Sequence, residues 1–250
     1  MASEEFDSVW TRPKRNRRRE QPALSQEQIV AAAIKLLDAD GLEALTMRKL
    51  GAELGAVATA VYWHVANKDE LIELVVDHVY GEIDVPEISS PDEWRAAATE
   101  FAQNFRATIL RHPWLGSTLA DIGVTLLGPN LLRSSDRTLG LYQTAGFGLR
   151  EANYASTAVL SYVVGLTSAE AATVSKVKRS GLSEQEWTAK LWPAAEQAAE
   201  PYPRLKALYA EYTSSSAAEG GDEVFDYGLT CVLDGLEARL RGQRPPDEVA

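Results

Sequence analysis

Apolar residues recur every three or four positions along most of the chain, which is the spacing of one face of an α-helix. The pattern is clearest from Ile29 to Leu37, from Trp94 to Ile109 and from Phe225 to Leu240. No segment predicts a strand, and no internal repeat is visible. The hydrophobic pattern therefore predicts an all-α fold.

Capping residues give the first helices their ends. Ser25 with Gln28 forms a capping box at the start of the first helix, and Gly41 ends that helix. Ser90-Pro91-Asp92-Glu93 combines a cap, an N1 proline and an N3 glutamate, so a helix is predicted from Trp94. His112-Pro113 ends it, since proline cannot continue a helix.

The second half of the chain predicts further helices. A helix is expected from Gly128-Pro129-Asn130 to about Gly146, and a long helix from Glu151 to about Lys178. A cap formed by Ser183 and Glu186 starts the next segment. Prolines predict that this segment is cut into short helices at positions 193, 201 and 203. The last helix is expected from Glu223 to Arg241.

The segment from Leu45 to Leu71 predicts two short helices, a tight turn between them and the start of a third. Thr46 caps the first, and Gly55 supplies the permissive backbone at its end. The second runs from about Ala58 to His64, and Asn67 with Glu70 opens the third as a capping box. Two helices around a glycine-containing turn are typical of a helix-turn-helix that binds DNA.

The same segment resembles the DNA-binding domain of the TetR family. The resemblance rests on T-x-R-K-L, then L-G, then Y-W-H-V-x-N-K from Tyr62 to Lys68, and it extends from Ser25 to about Tyr80. The alternative is a helical hairpin that merely buries its apolar residues. The resemblance implies a helix-turn-helix domain at 24–81 and a larger helical domain for ligand binding and dimerisation at 90–243. Residues 1–23 are expected to be a disordered basic arm.

The resemblance also indicates which residues meet DNA in the helix-turn-helix. The start of the second helix offers only methyl groups and one hydroxyl, so hydrogen-bond readout there is limited. His64 and Lys68 are expected to contact phosphates. For Trp63, packing within the domain and contact with DNA are equally compatible with the sequence. The candidate DNA-binding residues are Thr46, Met47, Arg48, Ala58, Thr59, Ala60, Tyr62, Trp63, His64 and Lys68.

The net charge of −11 conceals a local concentration of positive charge. Residues 21–250 carry 19 basic and 32 acidic side chains, whereas residues 12–19 carry six basic and none acidic. We expect this arm to enter a neighbouring minor groove. The alternative is a solvated tail that attracts DNA non-specifically. The arm's basic residues are Arg12, Lys14, Arg15, Arg17, Arg18 and Arg19.

The second half is rich in aromatic residues, more than half of which are expected to form core and dimer contacts. Resemblance to the family implies that some line an apolar pocket for a small, largely apolar or aromatic ligand. The candidates are Phe101, Phe105, Trp114, Tyr142 and Tyr162. Arg111-His112-Pro113-Trp114 and Gly128-Pro129-Asn130, with the basic arm, resemble antibiotic-efflux repressors of the simocyclinone-efflux group.

Several other classes are disfavoured by composition. One cysteine, Cys231, excludes an internal disulfide, fits a cytoplasmic protein and is expected to be buried among leucines. Three dispersed histidines predict no metal site, and we expect no other cofactor. No catalytic spacing is present. Polar residues within 152–169 disfavour a membrane span.

The sequence thus predicts a cytoplasmic homodimeric repressor that a small ligand releases from a palindromic operator, with an efflux or antibiotic-resistance gene as its target. A regulator of metabolic genes that responds to a native metabolite, or an activator, is the alternative of the same class. A helical enzyme and a DNA-architectural protein without a ligand are the alternatives from other classes.

Overall fold

The computed structural model describes residues 8–10, 24–122, 128–214 and 220–243. Within these residues every regular element is an α-helix or a short 3-10 turn, which confirms the all-α prediction. The chain divides into two compact units, Met1–Leu160 and Ser161–Ala250.

Eleven α-helices are present in the described residues, and short 3-10 turns lie at Leu42–Ala44 and Pro91–Glu93. The helices, in chain order, are α1 (Gln26–Asp40), α2 (Met47–Glu53), α3 (Ala58–Val61), α4 (Lys68–Tyr80), α5 (Trp94–Arg111), α6 (Trp114–Ile122), α7 (Pro129–Thr144), α8 (Leu149–Ser180), α9 (Glu184–Ala199), α10 (Pro203–Ser214) and α11 (Gly220–Gln243).

The predicted caps are present at the starts of the first helices. The Ser25 hydroxyl accepts from the Gln28 amide and the Gln28 side chain accepts in return, which is the expected capping box. Thr46 caps α2, and Asn67 caps α4. The predicted capping box differs in one hydrogen bond. The Glu70 carboxylate accepts from the backbone amide of Ala66, one residue before the N-cap, instead of from the amide of Asn67.

Helices α1 to α4 share a small apolar core in the first unit. Ile29, Ala33 and Leu37 from α1 meet the buried face of α4, whose Leu71 and Val75 are inaccessible to solvent. Gly51 lets α2 approach α3 closely, because a Cβ there would press on the backbone at Ala56 and Ala58. The short α3 is thereby held against α2.

Helices α5 to α7 complete the first unit around aromatic side chains. Trp94, Tyr142 and Phe147 form a mutual cluster with ring centroids 6.0–6.3 Å apart. Phe105 packs edge-on against Phe101 and, at 5.7 Å, against Tyr80 at the end of α4. Side-chain contacts of this size account for most of the packing energy in a helical core.

The second unit contains most of α8 and all of α9 to α11. The Tyr162 ring packs on Phe225, and its hydroxyl donates to the Phe225 carbonyl at 2.8 Å. A Cβ on Gly228 would overlap this ring, so the glycine makes room for it. Trp192 on α9 stacks against Tyr209 and Tyr212 on α10.

Two sequence predictions about this half of the chain are wrong. Pro193 lies inside α9, which continues to Ala199. Because α9 is largely exposed, water can bond the carbonyl that loses its partner at the proline. Cys231 is exposed, since the buried stripe of α11 follows Phe225, Leu229 and Leu233 on another face.

Helix α8 exposes much of its apolar surface. It is the one helix in the described ranges whose length and composition would permit a membrane span, with a mean hydropathy of 1.3 over its most apolar window. Only 22% of that window is buried within this chain. Tyr154 and Val174 are more than half exposed, so α8 presents an apolar face that this single chain does not cover.

Candidate nucleic-acid interface

The helix-turn-helix is built from α2, a turn and α3. Gly55 takes a φ of +62°, which favours glycine and lets the chain reverse after α2. Val61 is fully buried and fixes α3 on the core, so the opposite side of α3 faces solvent. The arrangement presents α3 as the reading helix of a helix-turn-helix.

Most of the predicted DNA-contacting side chains lie on this accessible side. Trp63 is 71% exposed and Tyr62 is 47% exposed, which is unusual for such large rings. Thr46, Arg48 and Thr59 are also exposed, whereas the other predicted contacts are half-buried, namely Met47, Ala58, Ala60, His64 and Lys68. The exposure of Trp63 supports DNA contact over core packing.

Val57 is a candidate that the sequence analysis missed. It is 72% exposed and occupies the N-cap position of α3 without a side-chain capping bond. Valine is a poor N-cap, because it cannot accept from the first amides of a helix. This mismatch with local preference was the available signal, since such conflicts concentrate at functional sites. Val57, Tyr62 and Trp63 form the exposed apolar part of what we call the reading surface.

The basic side chains of the helix-turn-helix domain differ in whether another protein group already binds them. Lys35 pairs with Glu53 at 2.6 Å, and Lys49 pairs with Asp40 at 2.5 Å. Lys68 donates to the Leu42 carbonyl at 3.0 Å, which fixes its position without neutralising its charge. Within the described residues, no ion pair is formed by Arg48. Arg48 is thus the cation best placed for a base or phosphate contact.

Part of the N-terminal segment lies on α4. Ser8 is fully buried and its hydroxyl donates to the Glu73 carboxylate at 2.5 Å. Burial raises the pKa of Glu73, and the bonds from Ser8 and the Val9 backbone only partly offset this. Ser8–Trp10 therefore depart from the expectation of disorder at 1–23. The basic run 12–19 lies outside the described residues.

Four of the five predicted ligand-binding residues belong to the first unit, where they make separate ring contacts. Phe101 and Phe105 pack together, while Tyr142 lies with Trp94 and Phe147 in the same unit. Trp114 is buried with its indole N–H on Asp38. Tyr162 belongs to the second unit, where it packs on α11.

Tyr142 has an unusual environment among these residues. Its side chain is fully buried, burial raises the pKa of its phenol, and its hydroxyl has no hydrogen-bond partner within the described residues. A buried polar atom without a partner costs about 1–3 kcal/mol, so such an atom points to a functional or water-mediated contact.

A small cleft opens between the end of α4 and the start of α7. Its volume is about 150 Å³, and its lining includes Tyr80, Ile83, Asn130 and Arg137. None of the five predicted ligand residues lines this cleft. Pockets for drug-sized ligands occupy roughly 300–1,000 Å³, so the cleft is too small for one. Within the described residues no group of three or more His, Cys, Asp or Glu side chains is arranged so that it could hold a metal ion.

Two acidic side chains of the helix-turn-helix domain reach α6 and α7. Oδ1 of Asp38, on α1, lies 2.7 Å from Nδ1 of His112 and 2.8 Å from Nε1 of Trp114. Asp77, on α4, accepts from the backbone amides of Asn130 and Leu131 at 2.9 and 3.0 Å. The amides belong to the first turn of α7, where a negative charge is favourable.

His112 lies between two carboxylates. Its Nε2 is 3.3 Å from Glu82, which Arg111 also binds at 2.8 Å. Burial by itself lowers the pKa of His112, but the bonds and charges of Asp38 and Glu82 outweigh this and raise the pKa. Since a carboxylate only accepts hydrogen bonds, both ring nitrogens are protonated when both contacts form.

The fold and the reading surface together define a helix-turn-helix regulator that binds DNA. Residues 29–75 match the family of bacterial regulatory proteins named tetR, and residues 87–240 match the tetracyclin repressor-like C-terminal domain. An HTH-type transcriptional regulator of Saccharopolyspora erythraea is 36% identical over 239 residues, covering 92% of each chain. The HTH-type transcriptional repressor DrrR1 of Streptomyces coeruleorubidus is 32% identical, covering 96% of this chain and 88% of its own.

A solved structure shares the architecture. The TetR family protein ActR of Streptomyces coelicolor, in complex with actinorhodin, superposes with a TM-score of 0.69 at 31% identity, covering 87% of this chain and 98% of its own. The chain belongs to the TetR family of ligand-responsive transcriptional repressors. The family consists of DNA-binding proteins without enzymatic activity, so the enzyme alternative is excluded.

Proposed function

We propose that this protein is a cytoplasmic homodimer that binds a palindromic operator and is released by a small polycyclic aromatic ligand, thereby controlling an efflux or antibiotic-resistance gene. The observation that carries the proposal is the reading surface. Val57, Tyr62 and Trp63 expose large apolar groups around the short helix α3, and Arg48 beside them has no ion pair among the described residues. Such a surface suits contacts with thymine methyls, sugars and phosphates.

Dimerisation is supported by the apolar faces of α8 and α11. Tyr154 and Val174 on α8, and Val224 and Tyr227 on α11, are all more than half exposed in the single chain. A second copy would cover them by pairing α8 and α11 into a four-helix bundle, as the family resemblance implies. A twofold dimer presents two reading helices, so the preferred DNA site is a palindrome.

The ligand class is supported by the buried aromatic side chains and by one relative. ActR has been solved in complex with actinorhodin. In this chain, Phe101, Phe105 and Tyr142 supply ring surfaces together with one phenol hydroxyl that lacks a partner among the described residues. Flat aromatic rings and one hydrogen-bonding group match a polycyclic ligand with phenol or carbonyl oxygens.

Release requires the ligand to favour a state that cannot bind DNA. A ligand shifts an equilibrium only through its different affinities for the two states. The ligand must therefore bind more tightly when the two reading helices are not spaced for the operator. The experiment is a footprint on the DNA beside the gene for this protein, repeated with actinorhodin and related polycyclic aromatics. Protection of one palindrome that a compound abolishes supports the proposal, whereas binding that no compound releases contradicts the ligand class.

Phe105→Leu tests whether Phe105 contacts the ligand. Leucine is apolar and fills most of the buried space, so folding should survive while ring contacts with the ligand are lost. The variant should bind the operator like the parent but require more compound for half-release. Ile109→Val, an equally buried change on the same helix α5, is the matched control and should leave the release curve unchanged. Superimposed curves for Phe105→Leu and the parent would make Phe105 a core residue only.

A further inference from the structure

Asp77 attaches α4 to the beginning of α7. The carboxylate is 5% exposed and accepts three hydrogen bonds, two from the backbone amides of Asn130 and Leu131 and one, at 3.1 Å, from the Asn130 side chain. A Cβ on Gly128 would overlap this carboxylate, so the chain approaches it at a distance that only glycine permits. Buried carboxylates with several donors hold their position firmly.

Asp38 makes a comparable attachment between α1 and the beginning of α6. One oxygen, Oδ1, receives both the His112 ring and the Trp114 indole N–H, at 2.7 and 2.8 Å. His112 and Trp114 are themselves buried and in mutual ring contact at 5.9 Å. The turn between α5 and α6 is thus attached to α1 by a charged group with two donors.

The two attachments bracket α6. Asp38 holds the residue at which α6 begins, and Asp77 holds the first turn of the helix that follows it. Helix α1 packs against α2 and α4, and α2 packs against α3, so α1 links directly to the helix-turn-helix and α4 links to it through α1. A change in the position of α6 relative to the start of α7 must therefore move α1 relative to α4, or break one attachment.

We propose that Asp38 and Asp77 are a pair of positioning residues that set the orientation of the reading surface on the rest of the first unit. The inference rests on the proposed function, in which that orientation determines operator affinity. The apparent affinity for the operator scales with the fraction of molecules in which the reading surface is oriented for binding. Loosening either attachment lowers that fraction and therefore the affinity. Coupling of this kind typically changes affinity by about 5-fold to 150-fold.

The test measures orientation directly, in the full chain, without DNA or ligand. Spin labels on Glu43→Cys and Gln143→Cys, two exposed positions of the first unit, are introduced in a Cys231→Ser background. Labelled chains are diluted with excess unlabelled chain, so that only distances within one chain are recorded. The distance distribution is compared among the parent, Asp38→Ala, Asp77→Ala and Gly128→Ala. Gly128→Ala separates the partners without altering the carboxylate.

Matched controls separate positioning from stability. Asp40→Asn removes a carboxylate from the same helix as Asp38, but its partner Lys49 lies within the helix-turn-helix. Asp69→Asn removes an exposed carboxylate from α4, the helix that carries Asp77. Asp38→Asn keeps an acceptor oxygen and should restore most of the parent behaviour. Gly128→Ala carries the test if an alanine variant fails to fold.

The proposal expects broader or shifted distances in Asp38→Ala, Asp77→Ala and Gly128→Ala, with operator affinity lowered about fivefold or more. Asp69→Asn should match the parent in both, and Asp40→Asn, which releases Lys49 in the helix-turn-helix, should match it in its distances. Distances that superimpose on the parent, with only the unfolding midpoint lowered, would overturn it. Failure of the parent to bind any palindrome would instead refute the proposed function, and the distance measurement would still decide the positioning role.

Discussion

The indole Nε1 of Trp114 lies 2.8 Å from Oδ1 of Asp38, a residue 76 positions earlier in the chain. Trp114 was a predicted ligand-binding residue, yet its polar edge is directed at a helix of the DNA-binding domain. The bond holds the indole in one orientation, and a ligand contact of Trp114 stays a prediction.

Trp114→Phe tests the strength of this contact. Phenylalanine keeps most of the buried ring but removes the donor. Hydrogen bonds to charged groups contribute about 1.5–3 kcal/mol, so the free energy of unfolding should fall by about that amount. Urea unfolding gives the value, with the exposed Trp63→Phe as a control that should change it little. An unfolding free energy equal to the parent's would show that the bond contributes nothing.

His112 makes part of the stability depend on pH. Its pKa is raised in the folded protein, so the charged ring stabilises the fold fully below the unfolded value near 6.5. That contribution is lost as the pH rises through the folded pKa. The stability difference between the parent and His112→Asn should therefore be larger at pH 6 than well above neutrality. Trp63→Phe, an exposed change that removes no titratable group, is the control and should show no such trend. A difference independent of pH would contradict a charged His112.

The dimer prediction concerns side chains that the single chain leaves exposed. Leu229 is buried within its own chain, so charging it would disturb folding as well as assembly. Tyr227 is 76% exposed, and Tyr227→Glu should therefore yield folded monomers. Leu132→Glu, at a 51% exposed position on α7, is the control and should remain dimeric. Sedimentation at micromolar concentration measures the mass. Dimers of unchanged stability in Tyr227→Glu would place the interface elsewhere.

The basic arm is expected to contribute specific affinity. Deleting residues 1–20 removes all six basic residues of the run. Each phosphate contact contributes about 0.9 to the slope of log K against log salt, so the slope should flatten by several units per dimer. An arm that reads a narrow minor groove should lose more affinity on the operator than on random DNA. Equal losses on both DNAs would leave the arm as a non-specific electrostatic contact.

The elements that the sequence predicted well are those set by local rules. Ser25, Thr46 and Ser183 cap their helices as expected, because capping depends on residues within one turn. The helix break predicted at Pro193 does not occur, because the exposed helix α9 tolerates the loss of one backbone hydrogen bond. The burial predicted for Cys231 does not occur, because Leu229 and Leu233, its neighbours in sequence, lie on a different face of α11.

The attachments at Asp38 and Asp77 were beyond sequence reasoning. Asp38 is separated from His112 by 74 residues, and Asp77 from Asn130 by 53. No periodicity or motif connects such positions, since only the packing of helices brings them together. Tyr62 and Trp63 could be proposed from the sequence because they belong to one short motif, whereas Val57 was missed, and the DNA contacts of all three stay predictions. The ligand residues stay a prediction, because a pocket depends on helices distant in the chain.

The central claim is that the surface around α3 recognises a specific DNA sequence. Arg48→Ala should weaken binding to the palindromic operator by about 1–3 kcal/mol if Arg48 contacts a base, with a smaller loss on random DNA. Arg204→Ala, an exposed arginine on α10, is the matched control and should bind like the parent.

The most direct measurement is therefore fluorescence anisotropy of parent, Arg48→Ala and Arg204→Ala on operator and random duplexes at two salt concentrations. The account predicts saturable parent binding to the operator far above random DNA, with that preference reduced only in Arg48→Ala. Equal parent affinity for both duplexes, or an operator preference unchanged in Arg48→Ala, would contradict it.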